Sequence, residues 1–86
     1  MPEICRFYGI VIKMYFADHA PPHFHAEYGE YEARIAIQTL AVITGWLPPR
    51  AMGLVAEWAT LHQAELQGLW DRASRLEPLH RLDPLP

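Results

Sequence analysis

The apolar residues change their spacing once along the chain, and that change limits the folds available to it. Up to about Thr44, short segments rich in β-branched and aromatic residues alternate apolar with polar positions, as half-buried β-strands do. From Pro49 to Leu76 the apolar residues instead recur every three or four positions, as on one face of a helix. The sequence therefore predicts an α+β domain in which strands come first and a helix covers them.

Four segments have the composition and the flanking turn residues of strands. They are Cys5–Phe16, His23–Tyr28, Tyr31–Ile37 and Leu40–Thr44. The links between them are short, which favours an antiparallel meander. The predicted architecture is a sheet of three to four strands packed on one long C-terminal helix. The other face of the sheet is then left to water, a dimer mate or a partner.

The last residues have a different composition. Leu-Glu-Pro-Leu is followed six residues later by Leu-Asp-Pro-Leu, and a helix does not continue easily through Pro78 and Pro84. We expect one compact domain over residues 1–76 and an extended, Pro- and Leu-rich tail over residues 77–86. A tail that frays, or that folds back on its own domain, is the alternative.

Composition limits the setting of this domain and its partners. The 86 residues contain one cysteine, so an intrachain disulfide is excluded and a reducing, cytoplasmic setting is expected. No signal peptide is expected, and no apolar stretch reaches the roughly 18 residues that span a bilayer. The formal net charge is −3, with seven Lys and Arg, whereas phosphate-binding proteins usually show a basic face. The charge therefore favours a protein partner over nucleic acid.

The segment from Asp18 to Gly29 holds three of the five histidines. Since His23 and His25 are two residues apart, both side chains point to the same face of a strand, and Glu27 continues that face. Two imidazoles with a nearby carboxylate can hold zinc or another divalent metal. This pattern makes His23, His25 and Glu27 the candidate metal ligands.

Other roles for the same segment stay open. Asp18 or His19, in the loop before the strand, is a further candidate ligand. An unshifted imidazole titrates near about pH 6.5, so His23 and His25 are also candidates for catalysis by proton transfer. Imidazoles that merely hydrogen-bond backbone or carboxylate groups, at a loop or an interface, are the structural alternative.

The candidate binding residues are Asp18, His19, Phe24, Glu27 and Trp46. Trp46 precedes the helix beside two prolines, where a tryptophan either anchors a loop or contacts a partner. His62 falls on the apolar face of the predicted helix, so we expect a core histidine with its hydrogen bonds satisfied. The other interpretation is that it reaches a site shared with the sheet.

Four stretches carry a resemblance to a known family. They are PEICRFYGIVI at Pro2–Ile12, PPHFHAEY at Pro21–Tyr28, LPPRA at Leu47–Ala51 and EWA at Glu57–Ala59. They resemble a small bacterial family, domain-of-unknown-function family four-one-six-zero, over almost the whole chain. The resemblance implies a genetic context: such genes often lie beside one for family two-four-four-two, and the pair is suspected of forming a toxin–antitoxin-like module. It carries over no catalytic residue.

Two hypotheses about function follow. The first is a small cytoplasmic bacterial protein that acts as an interaction component of a toxin–antitoxin-like pair, bound to a small protein encoded nearby, with homodimerisation as a further mode. The second is a metal-dependent hydrolase or ribonuclease-like enzyme that uses His23 and His25, with a divalent metal such as zinc as cofactor. Nucleic-acid binding is disfavoured by the charge, and no membrane association is expected.

Overall fold

The computed structural model describes residues 2–86, in which five strands are followed by two helices. The elements are β1 (Glu3–Phe7), β2 (Ile10–Lys13), β3 (His23–Tyr28), β4 (Tyr31–Ala36), β5 (Val42–Gly45), α1 (Pro49–Leu61) and α2 (Gln63–Ser74). The strands form one antiparallel sheet in sequence order. The α+β class and the meander are thereby confirmed. Neither helix in this part of the chain has the length and apolarity needed to cross a membrane.

The prediction of three to four strands is wrong because the first predicted strand is a hairpin. The chain reverses at Tyr8 and Gly9, whose φ angles are 49° and 80°. Phe7 then faces Ile10, and β1 pairs with β2 from that point. Glycine adopts a positive φ at little cost. Since apolar and aromatic residues continue on both sides of the turn, composition alone does not separate the two strands.

The prediction of one long helix is also wrong. Its backbone is interrupted at His62, which has φ −117° and ψ 18° and lies between α1 and α2. The side-chain amide of Gln63 donates hydrogen bonds to the carbonyl oxygens of Ile37 and Gln38, at 2.7 and 2.9 Å. These bonds tie the start of α2 to the chain just beyond β4. The apolar spacing runs through the interruption unchanged, so it gives no sign of the break.

One face of the sheet packs against both helices and forms the core. Trp58 of α1 connects the two layers, with its ring centroid 5.4 Å from that of Phe7 and 6.0 Å from that of Phe24. Burying a large apolar side chain contributes about 1.5–3 kcal/mol relative to leaving it exposed. Burial of this kind holds the helices on the sheet. The other buried apolar residues include Ile4, Ile10, Ile12, Met14, Ala26, Ala33, Ile35, Ile37, Val55, Leu66, Leu69 and Ala73.

The opposite face of the sheet is polar. Strand alternation places His25 on this face between Lys13 of β2 and Arg34 of β4. The ammonium group of Lys13 lies 3.0 Å from the Glu27 carboxylate, and Arg34 Nε donates to Thr44 Oγ1 at 2.7 Å. Because its charged groups find partners within the sheet, this face is compatible with solvent.

Residues 77–86 contain no helix or strand and lie along β1. The Leu82 N–H donates to the carbonyl oxygen of Ile4 at 2.8 Å, and Arg81 Nη2 lies 3.0 Å from a carboxylate oxygen of Glu3. The Leu82 side chain is buried among the core residues. The tail therefore covers the β1 edge of the sheet.

Candidate functional site

The side chains of Asp18, His23 and His25 meet at the start of β3. His23 begins the strand and His25 lies on the same side of it, with ring centroids 5.2 Å apart. Asp18 Oδ2 lies 3.0 Å from His23 Nε2 and 3.3 Å from His25 Nε2. Within residues 2–86, these three form the one group of potential metal-ligating atoms that all lie within 4.8 Å of one another. We call it the histidine–aspartate cluster.

His23 is held in a single orientation. Its side chain is 2% exposed, and its ring packs 5.2 Å from that of Trp70. Its Nδ1 lies 2.8 Å from the carbonyl oxygen of Pro21. A carbonyl oxygen can only accept, so Nδ1 carries the ring proton and Nε2 of the neutral ring carries the lone pair. Nε2 has no well-formed hydrogen bond within the described chain.

His25 completes the pair of imidazoles. Its Nε2 faces the same carboxylate oxygen as His23 Nε2, and Tyr15 packs edge-on against its ring, with centroids 4.5 Å apart. Its Nδ1 is buried and lies 3.5 Å from Glu32 Oε2. Each ring therefore has one nitrogen directed at Asp18 and the other near an acceptor.

The carboxylate of Asp18 is ionised at neutral pH. Burial by itself would raise the pKa of this carboxyl group. The His19 peptide N–H, which donates to Oδ1 at 2.8 Å, and the hydrogen bond from the His25 ring outweigh burial and lower the pKa below its usual value. The centre of the cluster is thus an anionic oxygen between two ring nitrogens.

The other candidate residues lie outside the cluster. The carboxylate of Glu27 shares the face of the histidines but pairs with a lysine of β2 at 3.0 Å. The imidazole of His19 is exposed, and Phe24 is buried in the core. Trp46, 56% exposed, follows β5. The structure therefore brings Asp18 to the two histidines and keeps the remaining candidates apart from them.

Four residues around the cluster are absent from the sequence-based candidates: Tyr15, Pro21, Glu32 and Trp70. The predicted turn after Tyr28 sets the register of the hairpin, which pairs Glu27 with Glu32 and His25 with Arg34. This register places Glu32 near His25 on the neighbouring strand, so Glu32 could have been predicted from it. Trp70 lies on α2, and no local pattern connects it with β3.

A second surface feature is the free edge of the sheet at β5. All four residues of this strand are exposed, including Val42 at 44% and Ile43 at 39%. Trp46 follows the strand, with its ring centroid 5.1 Å from that of Tyr31, which is also exposed. The exposed apolar side chains at this edge are together called the β5 edge patch: Tyr31, Val42, Ile43 and Trp46. Natural proteins commonly protect such an edge with charges, proline or a covering segment.

A cavity of about 400 Å³ lies at the other end of β3, between the sheet and α1. Its lining includes Tyr8, Tyr28, Leu54 and the charged side chains of Arg50 and Glu57. Among the described residues, this lining contains no histidine or cysteine, and its one acidic side chain is that of Glu57. The histidine–aspartate cluster therefore remains the candidate for chemistry, although the cavity beside it is smaller.

Comparison with known proteins gives one match. Neither the curated proteins nor the solved structures contain a significant match to this chain. A family model does match residues 9–71, a range that includes the histidine–aspartate cluster and β5. Because the match covers well over half of the chain, the protein belongs to the family described as domain of unknown function (DUF4160).

Proposed function

We propose that this protein is an interaction component that binds a small partner protein through the β5 edge patch, as one half of a toxin–antitoxin-like pair. The observation that carries the proposal is the exposure of β5. One row of its peptide N–H and C=O groups has no neighbouring strand within residues 2–86. A partner strand added at this edge gains main-chain hydrogen bonds, and the exposed side chains of Val42 and Ile43 add apolar contact.

The two edges of the sheet differ in whether another segment covers them, and this difference favours the β5 edge as the partner's site. At β1 the tail already accompanies the strand, and the Leu82 N–H bonds to the carbonyl oxygen of Ile4. β5 has no comparable covering segment within the described residues. An extended segment of the partner takes at β5 the place that the tail takes at β1.

The chemistry of the partner follows from the same edge. Aromatic side chains such as Trp46 and Tyr31 are enriched where proteins bind one another. The formal net charge of −3 adds a preference for a partner that carries basic residues around its apolar segment. The expected partner is the small protein encoded by the neighbouring gene.

Co-expression of the two proteins followed by size-exclusion chromatography tests the proposal. The wild-type pair is expected to co-elute. Ile43→Asp is expected to abolish co-elution, because it places a charge in the contact and leaves the backbone unchanged. Leu76→Asp is the matched control: Leu76 is also exposed, lies after α2 and has φ 58°, which aspartate tolerates.

Three outcomes would count against partner binding at β5. They are a wild-type chain that elutes without the neighbouring gene product, an Ile43→Asp chain that still co-elutes, and a Leu76→Asp chain that fails to do so. Elution of the wild type as a dimer on its own would identify a second copy of this chain as the occupant instead.

The histidine–aspartate cluster favours a second candidate function, metal-dependent hydrolysis. Three protein ligands leave coordination positions open, and a metal ion there would supply a water molecule acidified to a pKa of about 7. Cleavage of RNA or of a simple phosphodiester by the zinc- or manganese-loaded protein is the expected activity. It should disappear in His25→Gln while the melting temperature is retained. A loaded wild type that cleaves neither substrate excludes this function.

A further inference from the structure

We infer that Asp18, His23 and His25 form a binding site for one divalent transition-metal ion of the zinc type. The ligand atoms are Asp18 Oδ2, His23 Nε2 and His25 Nε2. This set differs from the one expected from strand alternation, because it takes its carboxylate from the loop before β3 and not from Glu27. Four properties of the cluster support it.

The first property is the position of the proton on His23. The Pro21 carbonyl oxygen, 2.8 Å from Nδ1, fixes the proton there. Nε2 of the neutral ring then presents a lone pair to the anionic Oδ2 of Asp18, 3.0 Å away. Two electron-rich atoms at this distance repel each other unless a cation lies between them. A proton on Nε2 would gain no hydrogen bond, since this buried atom has no hydrogen-bond partner within the described residues.

The second property is the spacing of the ligand atoms. Zinc lies about 2.0–2.1 Å from nitrogen and oxygen ligands, so ligand atoms around a tetrahedral ion are roughly 3.3 Å apart. Asp18 Oδ2 lies 3.0 Å from His23 Nε2 and 3.3 Å from His25 Nε2. Both imidazoles are therefore held at about the required spacing from Asp18, and all three ligand atoms lie within 4.8 Å of one another.

The third property is the outer support of both rings. Metal-bound histidines usually donate their second ring N–H to a carbonyl or carboxylate, which orients the ring. The Pro21 carbonyl oxygen serves His23 in this way, and the Glu32 carboxylate lies 3.5 Å from His25 Nδ1. Trp70 and Tyr15 pack against the two rings and restrict their rotation.

The fourth property is the donor set itself. Two imidazoles and one carboxylate suit zinc and neighbouring transition metals, whereas magnesium and calcium prefer oxygen ligands alone. Asp18 and His25 also remain partly exposed, which leaves a route for an ion to enter.

Metal binding at this site is independent of partner binding at β5, because none of the three ligands belongs to that strand. It is also measured without a substrate. A negative result for hydrolysis or for co-elution therefore does not contradict the metal site. A negative result for metal binding does not contradict partner binding.

The test uses the full chain, stripped with a chelator and titrated with Zn²⁺ in competition with a chromogenic chelator. One ion per chain is expected to bind, and Mg²⁺ is not expected to displace it. Asp18→Asn and His25→Gln should each weaken zinc binding by at least about 100-fold, since even supporting residues of a metal site account for roughly 10–100-fold. Both side chains are partly exposed, so these variants are better suited to the test than changes at the buried His23.

Two control variants separate this ligand set from the alternatives. Glu27→Gln should keep the wild-type affinity, and Glu32→Gln should lose about tenfold. The melting temperature of each metal-free variant identifies the chains that still fold. A folded wild type that binds no zinc overturns the inference. So does zinc binding that survives in both Asp18→Asn and His25→Gln, or that falls as far in Glu27→Gln as in Asp18→Asn.

Discussion

Gly45, at the end of β5, is required by a close approach between strands. It has a φ of +83°. A Cβ atom at this position would overlap the carbonyl oxygen of Glu32 and lie 2.9 Å from the Cα atom of Ala33. The neighbouring Trp46 N–H donates to the same Glu32 oxygen at 3.1 Å. The residue therefore sets both the end of the sheet and the position of an aromatic side chain in the β5 edge patch.

Gly45→Ala is expected to destabilise the protein by at least about 2 kcal/mol, because alanine is strained at this positive φ and its Cβ atom also collides with the backbone of β4. Gly53→Ala is the matched control. Gly53 lies in α1 with no neighbour within 4 Å of an added Cβ, so alanine should raise stability there by about 0.5–1 kcal/mol. Urea denaturation measures both changes. Equal midpoints for Gly45→Ala and the wild type would contradict the close approach.

At the candidate site, strand alternation predicts the pairing of the imidazoles, and the sequence offers two carboxylates, Glu27 and Asp18, without choosing between them. His23 and His25 share a side of β3 because alternation along a strand alone requires it. Asp18 reaches them through the path of the loop between β2 and β3, which no periodicity encodes. Glu27 lies on the predicted face, but its carboxylate forms an ion pair with Lys13. Local geometry was predictable, whereas the choice between two nearby carboxylates depended on tertiary contacts.

At the scale of elements, the best predictions rest on turns with a clear chemical signal. The turn after Tyr28 separates β3 from β4 as expected, because Gly29 adopts φ 59° there. The hairpin at Tyr8 was missed, since a tyrosine is an unusual residue at positive φ. The break between α1 and α2 was missed for another reason. It is stabilised by side-chain hydrogen bonds from Gln63 to the sheet, and helical spacing contains no information about them.

His62→Ala tests how the break between the helices is held. The His62 ring lies 5.2 Å from that of Trp58, and its side chain is 14% exposed. Loss of this aromatic contact should lower stability by about 0.5–1.5 kcal/mol. Glu65→Ala is the control, because Glu65 contacts only the outer side of the ring, at Nδ1, and an exposed pair of this kind contributes about 0.2–1 kcal/mol. Thermal unfolding followed by circular dichroism compares them. An unchanged melting temperature in His62→Ala would show that the ring does not support the break.

At the scale of the whole molecule, the tail is a structural part of the domain. The Trp58 indole N–H donates to the carbonyl oxygen of Asp83 at 2.8 Å, and the side chains of Leu82 and Leu85 are buried. In a chain of 86 residues the share of surface buried on folding is smaller than in a larger domain, so a few additional apolar side chains matter. The tail thus contributes to the core and shields the β1 edge, whereas β5 has no neighbouring strand on its outer side within residues 2–86.

The reactivity of Cys5 reports whether the tail opens separately from the rest of the domain. Cys5 is 1% exposed, and burial raises the pKa of its thiol, so the folded chain should react slowly with a thiol reagent. It adjoins Ile4, whose carbonyl oxygen accepts the hydrogen bond from Leu82. Leu82→Ala is expected to destabilise the chain by about 2–4 kcal/mol. Labelling of Cys5 should accelerate by a factor of roughly 30 or more, since an equilibrium changes about tenfold for every 1.4 kcal/mol. Pro84→Ala, at an exposed position of the same tail, should change both quantities much less, by at most about 1 kcal/mol in stability.

The dependence of Cys5 labelling on urea distinguishes opening of the tail from unfolding of the whole domain. Release of the tail alone exposes little surface, so the labelling rate in Leu82→Ala should be nearly independent of urea at low concentrations. Labelling that rises with urea along the global unfolding curve would mean that the tail and the sheet unfold together. Labelling of Leu82→Ala at the wild-type rate would mean that the tail does not shield the thiol.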